Sequence, residues 1–203
     1  MIDSQISDEE LMAMYQKGDE SSFQKLFARH KRGVYGYILR YTRNEQESEE
    51  VFQDVFIKMH RAAPNWLPTA KFTTWLYTIV RNLCIDVHRK KKIRKTVSLD
   101  DTGTGDDERS LHDVLASEDA APEAQSSDAE IGKVLEAALA KINADQREVF
   151  LMREKSGLKF EEIAEVLGVS INTVKSRMRY ALETLRKILE KSGYKELNPN
   201  YER

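Results

Sequence analysis

The sequence has a single cysteine and no long apolar run. Cys84 is the only cysteine in 203 residues, so no intramolecular disulfide can form, which fits a reducing cytoplasm. The 4 histidines show no metal-ligand spacing with Cys84 or with one another. No apolar segment approaches the ~20 residues that a membrane-spanning helix needs. We therefore expect a cytoplasmic protein with no metal site, no cofactor and no membrane insertion.

Glycine and proline are also scarce, and this favours an all-α fold. An all-β chain needs many turns, and 9 glycines and 4 prolines are few for that purpose. Helical periodicity of apolar residues recurs along most of the chain instead. The sequence has neither a glycine-rich phosphate-binding loop nor a nucleophile paired with a base. We therefore predict a protein that is not an enzyme and has no catalytic residues.

Charge is distributed unevenly along the chain. The net charge of −2 hides a strongly acidic stretch, residues 98–130, which alone carries a net charge of −10. This stretch is rich in small residues and has little apolar periodicity, as flexible linkers do. We predict two small helical domains, at residues 1–97 and 129–192. A flexible linker at residues 98–128 joins them, and residues 193–203 form a tail.

The clearest pattern is Phe160–Lys187, in which two amphipathic helices meet across a short turn. Gly168 lies where the chain must reverse, and Ser170 is a good N-cap for the second helix. The apolar stripe of that second helix consists of Val174, Met178, Ala181 and Leu185. This layout is typical of a helix-turn-helix, whose second helix can enter a DNA major groove.

The second helix carries polar groups opposite its apolar stripe. Asn172, Ser176 and Arg179 point away from Val174, and Lys175 and Tyr180 flank them. Amide, hydroxyl and guanidinium groups bind base edges and phosphates. The alternative is a solvated face on an ordinary helical hairpin. The absence of acidic residues from 170 to 181 favours DNA binding over that alternative.

The N-terminal domain contains further amphipathic helices. Ser7 and Glu10 have the spacing of a capping box that opens the first helix. The segment Glu45–Arg61 has a wide apolar stripe, and its outer face offers Gln53, Asp54 and Lys58. That outer face is either solvated or a surface for docking on another protein, and periodicity alone favours the solvated interpretation.

A loop separates that helix from a long basic one. Pro64 and Pro68 break the helix, and Trp66 between them either tucks inward or stacks on an external group. Thr73 or Thr74 is expected to cap the next helix. Its predicted apolar stripe consists of Leu76, Ile79, Val80, Leu83 and Val87. Its C-terminal end is basic and aromatic residues lie nearby, a combination that binds the phosphates and bases of single-stranded nucleic acid. Aromatic residues alone, however, more often belong to the core.

Three segments together resemble the extracytoplasmic-function group of bacterial sigma factors. The segment Glu49–Lys58 is similar to the helix with which that family binds core polymerase. The segment Lys71–Arg89 is similar to the promoter-melting helix, and Gly157–Arg179 is similar to the reader of the upstream promoter element. Lys159 departs from the family pattern, which often has a Ser or Thr cap there. Tyr180 and Leu182 stand where arginines are frequent.

The resemblance implies three sets of site residues. The residues expected to bind core polymerase are Gln53, Asp54, Phe56 and Lys58. The residues expected to bind the downstream promoter element are Trp66, Lys71, Trp75, Asn82, Asp86, Arg89 and Lys90. The residues expected to bind the upstream element are Asn172, Thr173, Lys175, Ser176, Arg177 and Arg179. The loop Asn65–Lys71 is expected to hold an extruded base. Arg177 is expected either on a phosphate or in an internal pair.

The resemblance implies a transcription initiation factor that brings core RNA polymerase to promoters and promotes strand opening. The expected partners are core RNA polymerase, promoter DNA and an inhibitory anti-sigma factor. The DNA is expected as duplex at the upstream element and as single strand at the downstream element. The alternative is a stand-alone helix-turn-helix regulator with residues 1–97 as a sensor. A sensor domain does not need the basic, aromatic segment at residues 66–95, which favours the initiation factor.

Overall fold

The computed structural model describes residues 6–97 and 134–192, which form helices and turns without a strand. The helices are α1 Asp8–Gln16, α2 Glu20–Thr42, α3 Glu45–Ala62, a 3-10 turn Ala63–Asn65, α4 Phe72–Val97, α5 at residues 134–141, α6 Ala144–Glu154, α7 Phe160–Leu167 and α8 Ile171–Lys191. The prediction of an all-α fold is confirmed. The predicted linker at residues 98–128 and the tail at 193–203 lie outside the described residues.

Helix α1 begins with the predicted capping box. The Ser7 hydroxyl accepts a hydrogen bond from the N–H of Glu10 at 3.2 Å, and the Glu10 carboxylate accepts one from the N–H of Ser7 at 2.8 Å. The helix ends before Gly18, whose φ of 98° is a conformation that L side chains avoid. Asp19 then caps α2 by accepting a hydrogen bond from the N–H of Ser21 at 3.0 Å.

Aromatic side chains pack against one another among α2, α3 and α4. Phe27 lies edge-on to Phe56, with 4.6 Å between the ring centroids, and Phe52 lies 5.0 Å from Phe56. Tyr37 and Tyr77 are buried and meet edge-on at 6.0 Å. Such pairs contribute about 0.5–1.5 kcal/mol each beyond the area that they bury. The core therefore fixes which faces of α3 and α4 remain exposed.

Gly33 allows α2 to pack closely against α4. A Cβ atom at this position would lie 2.9 Å from the Tyr77 hydroxyl oxygen, closer than van der Waals contact permits. Glycine weakens the interior of an isolated helix by about 1 kcal/mol relative to alanine. Helix α2 is nevertheless continuous through Gly33, because tertiary packing offsets that local cost.

Helix α4 begins at Phe72, and the prediction of a threonine cap was wrong. Thr73 and Thr74 both lie inside the helix. The N–H of Phe72 instead donates a hydrogen bond to Glu9 Oε1 at 3.0 Å. A carboxylate on α1 therefore satisfies one of the N–H groups that have no partner within α4 itself.

The buried stripe of α4 is close to the predicted one. Leu76, Val80 and Leu83 are buried, whereas Ile79 and Val87 are half-buried. Tyr77 and Cys84 are buried as well. The stripe therefore narrows towards the C-terminal end of the helix, where the exposed polar residues begin.

The described residues form two compact units. One unit contains residues 6–97 and 151–174, and the other contains residues 134–150 and 175–192. Helix α7 joins the first unit because it contacts α4, in part through a hydrogen bond of 2.9 Å from the Thr73 hydroxyl to Glu162. The predicted domain boundary after residue 97 stays a prediction.

Candidate nucleic-acid interface

A tight turn connects α7 to α8. Gly168 follows α7 in the left-handed conformation, with a φ of 66°, as the sequence predicts. The Ser170 hydroxyl caps α8 by accepting a hydrogen bond from the N–H of Thr173 at 3.1 Å. The hydroxyls of Ser170 and Thr173 also lie 2.8 Å apart. This cap determines where α8 begins and thus which side chains of its first turns are exposed.

Helix α8 has a buried face and an exposed polar face. The buried face consists of the predicted residues Val174, Met178, Ala181 and Leu185, together with Leu189. The exposed residues of the first turns, which we name the α8 surface, are Asn172, Lys175, Ser176 and Arg179. The amide, hydroxyl and cationic groups of this surface are those that bind base edges and phosphates.

Thr173 and Arg177 make internal contacts rather than joining the α8 surface. Thr173 is half-buried beside the Ser170 cap, and Arg177 forms an ion pair with Asp145 of α6. The N–H of Asp145 donates a hydrogen bond to the Asn143 side chain at 2.9 Å. Of the two roles predicted for Arg177, the internal pair is the one present. The pair leaves Lys175 and Arg179 as the exposed cations of these first turns.

Tyr180 orients the last residue of the α8 surface. The guanidinium of Arg179 lies 5.0 Å from the centroid of the Tyr180 ring and donates a hydrogen bond to its hydroxyl at 3.3 Å. The tyrosine is 47% exposed. A cation over an aromatic face is attracted by the ring electrons, so this contact restricts the directions that Arg179 samples. The predicted site residues did not include Tyr180, because helical periodicity does not reveal a contact between adjacent side chains.

Helix α4 presents a second polar face, in its C-terminal half. The exposed residues there, which we name the α4 surface, are Asn82, Asp86, Arg89 and Lys90. They recur at about one helical turn, whereas Val80, Leu83 and Cys84 are buried. The structure therefore places the four residues predicted in the C-terminal half of this helix on the surface, whereas Trp75, near its beginning, is half-buried. Lys71, just before the helix, is also exposed.

The loop at residues 65–71 turns its tryptophan inward. Trp66 is only 5% exposed, and its ring centroid lies 6.3 Å from that of Trp75, which is half-buried. Of the two placements left open by the sequence, the inward one is present, so the Trp66 ring offers no stacking face in this conformation. Leu67, 68% exposed, projects outward instead. Loop residues carry no periodic signal, so Leu67 could not be recognised from the sequence.

Helix α3 exposes Gln53, Asp54 and Lys58 on its outer face, as predicted. Ile57, which was not among the predicted site residues, lies among them with 45% of its surface exposed. We name these four residues the α3 surface. Phe56, in contrast, is buried against Phe27. Its ring belongs to the core and supports the α3 surface from beneath.

Helix α1 is bonded to α2 through the half-buried carboxylate of Asp8. Asp8 accepts hydrogen bonds from Arg29 at 2.8 Å and from His30 Nε2 at 2.6 Å. Burial alone raises the pKa of Asp8, but the hydrogen bonds and charges of His30 and Arg29 outweigh burial and lower it overall. The carboxylate is therefore held in its charged form.

Within residues 6–97 and 134–192, no group of three or more His, Cys, Asp and Glu side chains is arranged to hold a metal ion. Nor do these residues include a helix with the length and hydropathy that crossing a bilayer requires.

Two family models match the regions that carry these surfaces. The model described as Sigma-70 region 2 matches residues 26–93, and the model described as Sigma-70, region 4 matches residues 133–185. The extracytoplasmic-function (ECF) sigma factor SigW of Bacillus subtilis is 30% identical over 173 residues, covering 85% of this chain and 91% of SigW. The chain belongs to the extracytoplasmic-function group of RNA polymerase sigma factors. This sigma factor acts in transcription initiation.

Other relatives agree with this assignment. The RNA polymerase sigma-H factor of Pseudomonas aeruginosa is 28% identical over 190 residues, covering 92% of this sigma factor and 96% of sigma-H. The sigma factor RpoE of Bartonella quintana, solved in complex with the anti-sigma factor NepR, has a similar fold. The TM-score is 0.63 at 21% identity, and the match covers 83% of this chain and 96% of that one.

Proposed function

We propose that the α8 surface reads the upstream promoter element as duplex DNA. The observation that carries this proposal is the exposed polar face of α8, opposite the buried Val174 and Met178. A major groove admits an α-helix and displays base-specific acceptors and donors. Lys175 and Arg179 then bind guanine or phosphate, while Asn172 and Ser176 bind neighbouring polar atoms. Arg177 supports the helix through its pair with Asp145.

The α4 surface and the 65–71 loop are proposed to bind the melted downstream element. Asn82 and Asp86 offer hydrogen-bonding groups to base edges, while Arg89 and Lys90 neutralise phosphates. An extruded base requires an apolar or aromatic surface to replace the stack that it leaves. The exposed side chain of Leu67 and the half-buried Trp75 offer such a surface. Lys71 adds a positive charge at the end of the loop, and the buried Trp66 acts from within as a support.

The α3 surface is proposed to dock on core RNA polymerase. Ile57 contributes apolar area between the polar groups of Asp54 and Lys58, which suits the centre of a protein interface. Gln53 extends the polar rim, and Phe56 beneath the surface holds the helix in place. This combination favours the docking interpretation over a merely solvated face.

Binding of both promoter elements is proposed to depend on polymerase. Residues 1–97 and 129–192 are proposed as separate domains joined by the linker at residues 98–128. Once polymerase and one element are bound, the second contact becomes effectively intramolecular, which strengthens binding without any new interaction. Strand separation follows from capture of unstacked bases, which offsets the few kcal/mol that unstacking each base costs, and it needs no catalytic residue of this chain. The proposed location is the cytoplasm, where polymerase acts.

An inhibitory anti-sigma factor is a further proposed partner. The support is the similar fold of RpoE, which was crystallised with an anti-sigma factor. Such a partner would mask the α3 surface or one of the two DNA-binding surfaces. Affinity capture with this chain from cells before and after stress tests the idea. We expect a stoichiometric partner that competes with core polymerase, and a partner that leaves polymerase binding unchanged would contradict it.

The stand-alone regulator is not favoured, because both sigma regions are present in one chain. The discriminating experiment mixes the purified chain with sigma-free core polymerase and maps the transcripts from a genomic promoter library. We expect discrete start sites that require this chain. An α3 variant, Asp54→Ala with Ile57→Ala, should lose these starts, whereas Glu190→Ala on the exposed end of α8 should not. Tight binding to duplex DNA without polymerase, and no new starts, would instead identify a stand-alone regulator.

A further inference from the structure

We propose that helix α1 is a brace that holds the 65–71 loop in the conformation that captures an unpaired base. The proposal rests on the proposed function of that loop and of the α4 surface. It concerns two positioning residues, Glu9 and Gln16, which the sequence pattern did not single out. Each makes a hydrogen bond to the backbone at one end of the loop.

Gln16 holds the beginning of the loop. Its side-chain nitrogen Nε2 donates hydrogen bonds to the carbonyl oxygens of Ala63 and Trp66, each at 2.8 Å. An amide nitrogen carries two hydrogens, so one side chain can satisfy both carbonyls. Ala63 lies in the 3-10 turn that precedes the loop, and Trp66 lies within the loop. Gln16 thus links the two and fixes how the loop leaves the turn.

Glu9 holds the end of the loop. Its carboxylate accepts the hydrogen bond from the N–H of Phe72, the first residue of α4, at 3.0 Å. Glu9 and Gln16 lie about two helical turns apart on α1 and therefore on the same side of it. Helix α1 consequently spans the loop and is bonded to the backbone at both ends.

Helix α1 is itself anchored, as a brace must be. Leu11 and Met12 are fully buried. Asp8 is bonded to Arg29 at 2.8 Å and to His30 at 2.6 Å. The ring of His30 also lies 5.3 Å from that of Phe72. The position of α1 is therefore set by α2 and the core rather than by the loop.

The backbone hydrogen bonds within the loop join residues only two or three positions apart in the sequence. The N–H of Trp66 donates to the Ala63 carbonyl at 3.1 Å, and the N–H of Thr69 donates to the Leu67 carbonyl at 2.8 Å. Ordering such a segment during binding costs conformational entropy, whereas a loop that is already ordered avoids this cost. Loss of the two Gln16 bonds should therefore weaken base capture by about three- to tenfold.

The test compares Gln16→Ala and Glu9→Ala with a matched control, Gln24→Ala, which truncates an exposed glutamine on α2. Each variant is assembled with core polymerase and titrated with two DNA probes. One probe is a promoter fork whose downstream element is single-stranded, with 2-aminopurine at the captured base. The other is a duplex with only the upstream element. We expect Gln16→Ala and Glu9→Ala to weaken fork binding by about three- to tenfold, with upstream binding unchanged.

The two variants also distinguish the effect of a lost hydrogen bond on fork binding from the effect of a changed charge. Glu9→Ala removes a negative charge, which alone should strengthen DNA binding. A loss of fork binding in this variant therefore points to the missing hydrogen bond. Gln16→Ala changes no charge. A melting temperature close to that of Gln24→Ala would show that the domain remains folded.

A fluorescence measurement reports on the loop directly. The chain has 2 tryptophans, so in a Trp75→Phe background Trp66 is the sole tryptophan. Addition of Gln16→Ala should increase the quenching of Trp66 by acrylamide, because the loop loses its tether and the ring becomes more accessible. Addition of Gln24→Ala should leave quenching unchanged.

The outcomes distinguish the brace from the proposed function beneath it. Unchanged quenching and fork binding in both α1 variants would overturn the brace. Increased quenching with unchanged fork binding would also overturn it, since loop order would then not matter for capture. Loss of fork binding in the α1 variants but not in Asn82→Ala or Arg89→Ala would support the brace and contradict the assignment of the α4 surface. Absence of fork binding by the unaltered holoenzyme would overturn both.

Discussion

The α8 surface and the 65–71 loop are held in place by contacts that differ greatly in the sequence separation of the partner residues. The α8 surface depends on a cap in which Ser170 bonds to Thr173, and on a continuous helix after it. The loop depends on Gln16 and Glu9, whose partners lie 47, 50 and 63 residues away in the sequence. The beginning of α8 is thus set by residues close in sequence, whereas the loop is ordered only after the N-terminal helices have packed.

This difference suits the form of DNA that each surface is proposed to bind. Duplex DNA presents its groove without rearrangement, so a rigid helix with exposed donors is sufficient. An unpaired base has to be held in a shaped site after it leaves the stack. Such a site needs groups from several elements, here α1, the loop and α4.

The largest effect is expected from the core beneath the α4 surface. Leu76 is fully buried, so Leu76→Ala should lower the free energy of unfolding by about 2–5 kcal/mol through lost contacts and a residual cavity. Asn82→Ala, on the exposed face of the same helix, should change it by less than about 0.5 kcal/mol and weaken fork binding instead. Urea unfolding followed by fork titration separates the two. Equal losses of stability would mean that Asn82 is structural.

The next effect concerns the α8 surface. Lys175→Ala or Arg179→Ala should each weaken binding of the upstream duplex by about 1–3 kcal/mol if the lost contact is to a base. Loss of a phosphate contact should also reduce the salt dependence by about one unit of slope. The matched control is Arg186→Ala, an exposed arginine farther along α8 that is paired with Glu190. If both variants bind the upstream duplex as the control does, the reading face is assigned incorrectly.

The helix faces could be predicted from sequence, whereas the loop could not. The stripe of Val174 and Met178 and the exposure of Lys175 follow from helical periodicity, which depends only on neighbouring residues. Thr73 or Thr74 was predicted to cap the beginning of α4, but Glu9, on another helix, accepts the hydrogen bond from the N–H of Phe72. The sequence likewise could not decide whether the Trp66 ring turns inward or outward, because its burial depends on tertiary contacts that a linear pattern does not encode.

A smaller effect is expected at Arg177. Its pair with Asp145 is partly exposed, with 26% and 58% of the two side chains accessible, and such surface pairs contribute about 0–1 kcal/mol. Arg177→Ala should therefore lower stability slightly and reduce upstream binding less than Arg179→Ala does. Thermal unfolding and duplex titration of the two variants provide the comparison. Equal losses of DNA affinity would show that Arg177 leaves Asp145 to contact DNA.

The smallest effect is expected in how the free energy of unfolding depends on pH at acidic pH, where Asp8 of helix α1 becomes protonated. The pKa of Asp8 is lowered below its reference value of 3.8 by Arg29 and His30 despite burial. A carboxylate with a lowered pKa stabilises the folded state above its unfolded pKa, and this stability is lost as pH falls through the folded pKa. In Asp8→Asn, the free energy of unfolding should therefore decrease less steeply as the pH falls below about 4. Urea unfolding from pH 3 to pH 6 checks this, and an unchanged slope would contradict it.

The proposed division of labour between the α4 surface and the α8 surface can be tested with two holoenzymes and two DNA probes. One carries Asn82→Ala in the α4 surface, and the other carries Lys175→Ala in the α8 surface. The probes are a fork with a single-stranded downstream element and a duplex with only the upstream element. We predict that Asn82→Ala weakens only fork capture and that Lys175→Ala weakens binding of the upstream duplex. If both variants lose affinity for both probes in equal proportion, the proposed division between duplex and melted DNA is wrong.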